Sequence, residues 1–442
     1  MVRQLFGTDG VRGRAGEFLS AELALRIARA TVGRLESRRP QVLIVRDTRE
    51  SGDMLEASIA AGVAAGGGDV LIGGVLPTPA APLLVRRHGL DLAAVISASH
   101  NPYEDNGIKL FGSDGLKLHD DTEHEIEAEL EKPPVPSAQL GRIRRLHGAL
   151  EDYLRELHQR FSELDLSGQR IVLDCANGAT FRAAPEIFRR LGAEIHVLAD
   201  QPDGRNINDG CGSTHLDNLR AAVSTGEFDL GFAFDGDGDR VLAIDRTGAV
   251  VDGDELVALA ALHLRDQGRL RGGGVAVTVM TNFGFHQAMS EAGITVATTA
   301  VGDRYVLDEL LKRGWALGGE QSGHIIDLGF GPSGDGIASA LLALEALGER
   351  RLEDRDAMQK LPQRLVNVRA QDRAALTGAM EHPSVQAAID EAGSGLEGRG
   401  RVLVRPSGTE PLIRVMVEAP SEREIEEICT RLTRAVEEAL GA

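Results

Sequence analysis

The sequence predicts an α/β protein in which three similar mixed α/β domains and a smaller C-terminal α+β domain surround a central cleft. Three observations carry that prediction. Short β-branched runs bounded by glycine alternate with amphipathic helical stretches over most of the 442 residues. A strand-loop-helix phrase returns three times, each time followed downstream by one polar, glycine-rich loop. The length exceeds what one hydrophobic core usually organises. The punctuation places the domains at residues 1–150, 151–250, 251–364 and 365–442.

Taken in order, the first phrase has a helix over Ala21–Ser37, a strand at Val42–Val45 ending in Arg46-Asp47-Thr48-Arg49, and a helix from about Gly52. Strands at Val70–Val75 and Ala93–Ile96 complete the first domain. The Pro-rich stretch Lys132–Pro136 and the charged helical stretch Leu150–Leu164 connect it to the second. The second phrase opens at Ile171-Val172-Leu173-Asp174, and Arg246–Ala249 is a hairpin turn just before the next boundary. The third opens at Val275–Met280 and closes with a helix at Gly336–Leu347. The tail holds strands at Leu365–Arg369, Arg401–Val404 and Leu412–Glu418, then a helix at Glu422–Leu440.

Composition narrows the partners. With 48 basic and 67 acidic residues the net charge is −19, a field that repels nucleic acid and acidic membrane surfaces. Aromatic residues at 4% leave little for base stacking. An anionic substrate therefore needs a local cluster of cations. Three widely separated cysteines, Cys175, Cys211 and Cys429, suggest neither a disulfide framework nor a zinc ribbon. Neither a signal peptide nor a membrane-spanning run is legible, so a cytoplasmic location is expected.

Four loops carry chemistry. Ser99-His100-Asn101-Pro102 follows a buried-looking strand and exposes a hydroxyl at its carboxyl end, where α/β folds bind ligands. By itself this loop also reads as an Asn-Pro turn. A Ser-His-Asp hydrolase is disfavoured, because no G-x-S-x-G surrounds Ser99 and an adjacent His is poorly placed as its base. Asp235-Gly236-Asp237-Gly238-Asp239-Arg240 sets three carboxylates at alternating positions, a pattern for Mg²⁺ or Ca²⁺ with open positions for a phosphate oxygen. The EF-hand pattern fails, since its glycine and glutamate positions hold Arg240 and Arg246. Gly318–His324 places Glu320, Ser322 and His324 among glycines, suited to reading sugar hydroxyls. Arg405-Pro406-Ser407-Gly408-Thr409-Glu410, with Arg414 beyond it, can form an anion-binding nest. Arg12 and Lys109 add two cations beside glycines. Gly329-Phe330-Gly331-Pro332-Ser333-Gly334 matches G-x-G-x-x-G but lacks the strand and acidic partner of a dinucleotide site, and is taken as coincidental.

In this order and across nearly the whole chain, these loops resemble the α-D-phosphohexomutase superfamily. Further distinguishing pieces are Phe6–Gly13, Asn206-Ile207-Asn208, Cys211–His215, Val301–Val306, and Gln321. The resemblance implies that Ser99 is the phosphorylated nucleophile, with Asp235, Asp237, Asp239 and the Ser99 oxygen around one Mg²⁺. It implies Glu320 and Ser322 as sugar readers and Arg405, Ser407, Gly408, Thr409 and Arg414 as the phosphate loop. Arg12, His100, Lys109, Arg240 and His324 would line the site, with general acid/base duty open between Lys109 and His324. The expected substrate is glucosamine 6-phosphate, converted to glucosamine 1-phosphate through a bisphosphorylated sugar, a sugar bisphosphate priming the serine and the product feeding UDP-N-acetylglucosamine and cell-wall synthesis. A homodimer is an option. The alternatives are turnover of mannose or glucose phosphates, a non-catalytic phosphosugar-binding protein, or a Mg²⁺-dependent hydrolase. Ala300, where many relatives carry lysine, weakens any phosphate contact there.

Overall fold

Four sheets organise the chain. A computed structural model describes residues 5–7, 9–133, 137, 139–407 and 411–441. The first sheet contains β1 (Val11–Arg14), β2 (Gln41–Arg46), β3 (Asp69–Val75), β4 (Leu92–Ile96), β5 (Asp105–Gly112) and β6 (Ile143–Arg145), in the order β1-β5-β4-β2-β3-β6. The second contains β7 (Arg170–Asp174), β8 (Glu194–Leu198), β9 (Leu230–Phe234), β10 (Val241–Asp245) and β11 (Val250–Val251), in the order β11-β10-β9-β7-β8. The third contains β12 (Gly274–Thr278), β13 (Thr295–Thr299), β14 (Leu317–Gly319) and β15 (Ile325–Asp327), in the order β13-β12-β14-β15. The last contains β16 (Gln363–Arg369), β17 (Arg401–Pro406) and β18 (Leu412–Glu418), with β18 central.

The first three sheets share one device that the internal repeat announced. Each has a parallel core and then reverses direction: β4 pairs with β5, β9 with β10 and β14 with β15, all antiparallel. The reversals are the loops that carry Ser99, Asp235–Arg240 and Glu320–His324, so each polar loop leaves the carboxyl end of a parallel strand. Strands β4, β9 and β12 are buried along their whole length, which is why they read as apolar runs rather than alternating ones. Under the first sheet, Val42, Ile44, Ile27, Leu55, Ile59 and Ile96 form one core.

Helix ends follow local chemistry. The Ala21–Val32 helix starts at Ser20, whose side chain accepts the Leu23 N–H, and stops at Gly33 rather than at the expected Ser37. Gly253–Asp266 opens with a capping box between Asp252 and Glu255. Gly336–Leu347 is capped by Asp335 and falls where the sequence placed it.

Contacts divide the chain into two compact units, residues 1–280 with 295–355 and residues 281–294 with 356–442. The first three sheets lie in the larger unit. The smaller holds β16–β18 and, less expectedly, the helix Phe283–Glu291. The reason is Glu418, fully buried on β18, which accepts the Phe283 N–H at 2.8 Å and pairs with Arg401 Nε at 2.7 Å.

Within the larger unit, Glu345 ties the helix Gly336–Leu347 to Arg160 at 3.1 Å and to Arg269 at 3.1 Å, with His263 3.5 Å away. Burial alone would raise its carboxyl. The bonds from His263 and Arg160 and the charges of Arg160 and Arg269 outweigh burial and hold it at about 2. A depressed carboxyl contributes stability above its unfolded value of 4.5 and loses it as pH falls toward about 2. Glu345→Gln is therefore expected to flatten the fall in melting temperature across that window, measured by thermal unfolding at stepped pH. An unchanged slope would show that the carboxyl does not titrate there.

Candidate functional site

Three loops from the three sheets of the larger unit meet around Ser99. Ser99 adopts a left-handed backbone, φ 53°, a conformation that a non-glycine residue holds only when its surroundings impose it. The surroundings are visible. Arg49, fully buried and paired with Asp47 at 2.9 Å, donates to the carbonyls of Ser99 and Asn101, each at 2.9 Å. Asn208 donates to the same two carbonyls at 3.0 and 3.1 Å. Ser97 Oγ accepts the Ser99 N–H at 2.9 Å and donates to Asp47 at 2.6 Å. Arg49, Asp47 and Asn208 were not assigned roles from sequence. The signal was there in the Arg46–Arg49 run at the carboxyl end of β2 and in Asn206-Ile207-Asn208.

So held, Ser99 Oγ donates to Asp235 Oδ2 at 2.5 Å, and His100 Nδ1 lies 3.3 Å away. Burial, with the charges of Arg240 and Arg12, pushes the His100 imidazole down to about 4 and leaves it uncharged at neutral pH. A side chain at Gly236 would meet the Ser99 carbonyl at 2.6 Å, so glycine there is what lets the two loops touch.

Asp235, Asp237 and Asp239 are buried, with carboxylate oxygens within 4.8 Å of one another. Asp237 Oδ2 accepts from Thr78 at 2.6 Å and from Lys109 at 2.9 Å; Asp235 Oδ1 accepts the Arg240 N–H at 3.1 Å. Among the described residues, by contrast, Asp237 Oδ1 and Asp239 Oδ1 are buried without a hydrogen-bond partner. Burial and the charges of Asp239 and Asp237 push the Asp235 carboxyl well above the usual range. Three hard oxygens, two of them unpartnered and mutually repelling, fit a divalent cation.

Cations close the site from the side of the first sheet. Lys109 Nζ lies 2.9 Å from Asp237, 3.1 Å from Asp9 and 3.5 Å from Asp239. Burial opposes its charge, but those three carboxylates hold the ammonium far above its ordinary range. Arg12 pairs with Asp9, and Lys117 bridges Asp9 to Asp303. Arg240 Nε is 3.8 Å from Asp239. The bridge by Lys117 joins residues 108 and 186 positions apart, a link that no local pattern discloses.

From the third sheet, Glu320 is buried and its Oε1 accepts the Gly302 N–H at 2.9 Å, which leaves Oε2 for other donors. Gln321 reaches Asp252 at 3.3 Å, and Ser322 is exposed at the tip of the turn. His324 is buried, with Nδ1 3.6 Å from Asp239 and Nε2 3.8 Å from Asp303. Burial would lower its pKa, yet Asp239, Asp303 and Glu320 raise it to about 9.

In the smaller unit, Arg405 and Arg414 stand directly opposite each other on β17 and β18, and Ser407 is buried at the end of the turn. Like charges opposite one another cost stability, a cost that a bound anion would offset. Gly408 and Thr409 lie outside the described residues.

A buried serine hydroxyl bonded to a buried aspartate trio that could hold a metal ion is an arrangement suited to phosphoryl transfer, and comparison with known proteins places the chain among the phosphosugar mutases. Four phosphoglucomutase/phosphomannomutase family models match: α/β/α domain I over residues 3–134, domain II over 151–248, domain III over 252–365 and the C-terminal domain over 365–435. A phosphoglucosamine mutase of Moorella thermoacetica is 51% identical over 441 residues, with 98% of each chain covered. Another, from Pseudomonas aeruginosa strain LESB58, is 48% identical over 447 residues, with 99% of each covered. The fold matches a phosphoglucomutase/phosphomannomutase family protein of Burkholderia thailandensis at TM-score 0.83 and 22% identity, covering 98% of this chain and 97% of that one. It also matches an N-acetylphosphoglucosamine mutase of Aspergillus fumigatus, solved with GlcNAc-6P and magnesium, at TM-score 0.68 and 18% identity, covering 99% and 96%. The chain belongs to the phosphoglucosamine mutase family of the α-D-phosphohexomutase superfamily. Among the described residues, no helix is long and apolar enough to cross a membrane.

Proposed function

We propose that this chain interconverts glucosamine 6-phosphate and glucosamine 1-phosphate, using Ser99 as the phosphate carrier. The observation that carries the reading is Ser99 Oγ at 2.5 Å from Asp235, inside a buried aspartate trio that has two unpartnered oxygens. The 51% identity to a phosphoglucosamine mutase supplies the substrate.

In the forward direction phosphoserine 99 gives its phosphoryl group to O1 of glucosamine 6-phosphate. The P–O bond to Ser99 breaks as the bond to O1 forms, and the O1 proton passes to a base. The bisphosphorylated sugar then turns over. Its 6-phosphoryl group returns to Ser99, O6 takes up the proton, and glucosamine 1-phosphate leaves. Lys109, Arg12 and Arg240 offset charge on the transferring group. Lys109 Nζ donates to Asp237 and lies within 3.5 Å of Asp9 and Asp239, so the reading makes its part electrostatic and assigns proton transfer to His324, whose neutral ring takes the O1 proton. Glu320 and Ser322 read the sugar hydroxyls. Arg405, Ser407 and Arg414, with Gly408 and Thr409, grip the distal phosphate. Asp235, Asp237, Asp239 and the serine oxygen would hold Mg²⁺, which supplies charge neutralisation at the transferring phosphoryl oxygens. The four domains, at residues 1–150, 151–250, 251–364 and 365–442, would each contribute one loop. A sugar bisphosphate would prime Ser99, and a cytoplasmic homodimer completes the reading; the free thiols of Cys175, Cys211 and Cys429 suit a reducing compartment.

Turnover of glucosamine 6-phosphate, measured beside that of mannose and glucose phosphates, tests the substrate. Preference for mannose 1-phosphate would overturn it, and stoichiometric release of inorganic phosphate would point to a hydrolase. Chelation with EDTA is expected to abolish activity and added Mg²⁺ to restore it; full turnover in EDTA would remove the metal from the reading.

A further inference from the structure

The end of the glycine-rich run Gly329–Gly334 and the two residues after it touch two parts of the site. Gly334 N–H donates to His324 Nε2 at 3.2 Å, and a Cβ at position 334 would lie 2.4 Å from that nitrogen. Gly336 N–H donates to the Gly238 carbonyl at 2.9 Å, and a Cβ there would lie 2.4 Å from the Arg240 carbonyl. One face of this short segment is thus pressed on the imidazole and the other on the aspartate loop. Between them Asp335 donates its N–H to the Ile325 carbonyl at 3.3 Å and accepts the Ala338 N–H at 2.9 Å. Tyr153 Oη, from the helix Ala149–Arg160, donates to the Asp335 carboxylate at 2.9 and 3.0 Å. Tyr153 is fully buried and Asp335 nearly so, which makes this an internal anchor rather than a surface contact.

We propose that Gly334-Asp335-Gly336 is a positioning brace that sets the His324 ring and the Asp235–Arg240 loop relative to each other, with Tyr153 as its anchor. The inference rests on the reading above, in which His324 moves the proton and the aspartates hold the cation. It divides the labour between two glycines only two positions apart. Gly334 governs the imidazole and hence the chemical step; Gly336 governs the carbonyl side of the metal loop and hence cation affinity.

Gly334→Ala, Gly336→Ala, Tyr153→Phe and His324→Ala in the full-length protein separate these effects. The readouts are kcat and KM for glucosamine 6-phosphate, Mn²⁺ affinity by binding titration without substrate, and melting temperature. Displacing the ring by about an ångström in Gly334→Ala is expected to lower kcat roughly 100-fold while Mn²⁺ affinity stays at the wild-type value. Gly336→Ala is expected to weaken Mn²⁺ binding about tenfold or more, as loss of support behind a metal ligand does. Tyr153→Phe adds no atom and is expected to lower both quantities by smaller factors. A segment that merely stabilises the fold would lower the melting temperature and leave kcat and Mn²⁺ affinity in place, and that result overturns the brace. If either glycine variant fails to fold, Tyr153→Phe decides, with wild-type kcat and Mn²⁺ affinity counting against it. His324→Ala keeps the two levels apart: wild-type kcat there refutes the catalytic reading, whereas an inactive His324→Ala beside a fully active Gly334→Ala refutes the brace alone.

Discussion

Ser99→Ala is expected to cut glucosamine 1-phosphate formation by roughly 10⁴- to 10⁶-fold, the range seen when a covalent nucleophile is removed. The loss follows from geometry as well as chemistry. Ser99 Oγ is the hydroxyl that donates to Asp235, and the loop that presents it is pinned by Arg49 and Asn208 through carbonyl contacts that do not involve the side chain. Alanine therefore removes the phosphate acceptor without releasing the loop. Intact-mass measurement gives a second readout: wild type carries a fraction with one added phosphoryl group and the variant carries none. Full mutase activity in Ser99→Ala would end the phosphoserine mechanism.

Lys109→Met should have the largest effect on stability of any single change at the site. Methionine keeps most of the buried stem and removes a charge that faces Asp237, Asp9 and Asp239 within 3.5 Å. Breaking a buried ion pair from one side costs about 3–5 kcal/mol, because the remaining charges stay buried and unpaired. A divalent cation at the aspartates offsets part of that repulsion. The destabilisation is accordingly expected to be larger in EDTA than in Mg²⁺, measured by urea unfolding under both conditions, with kcat strongly reduced in either. Equal stability of variant and wild type in EDTA would show that Lys109 does not compensate the trio.

The two variants probe residues of different legibility. Asp235, Asp237 and Asp239 stood out by their alternation with glycine at the end of an apolar strand, whereas Ser99, whose loop also reads as an Asn-Pro turn, and Glu320 became candidates when the four loops were taken together. Lys109 was legible as a cation beside glycine and, through the resemblance, as one of two candidates for acid/base duty. Its burial against three carboxylates comes from the antiparallel return of β5 beside β4, and two of those carboxylates lie about 130 positions away in the next sheet. The adjacency of His100 to Ser99 argued against a hydrolase-type base, and the fold sets its Nδ1 3.3 Å from Ser99 Oγ. The G-x-G-x-x-G match was set aside as coincidental in the sequence. Its last glycine nonetheless packs on His324, a use that only the fold reveals.

By itself the sequence determined the α/β class and the threefold repeat of strand and polar loop, and it named Ser99 and the aspartate trio as candidates. These are local properties, set by hydrophobic period, glycine placement and residue chemistry within a few positions. Only the tertiary structure decided the Asp9–Lys117–Asp303 bridge, the Arg49 and Asn208 support behind Ser99, and the attachment of Phe283–Glu291 to the unit holding β16–β18. Each of these joins charges or backbone groups that are distant in the chain and must be paired once buried, and which partner satisfies them depends on where the strands bring the chain back.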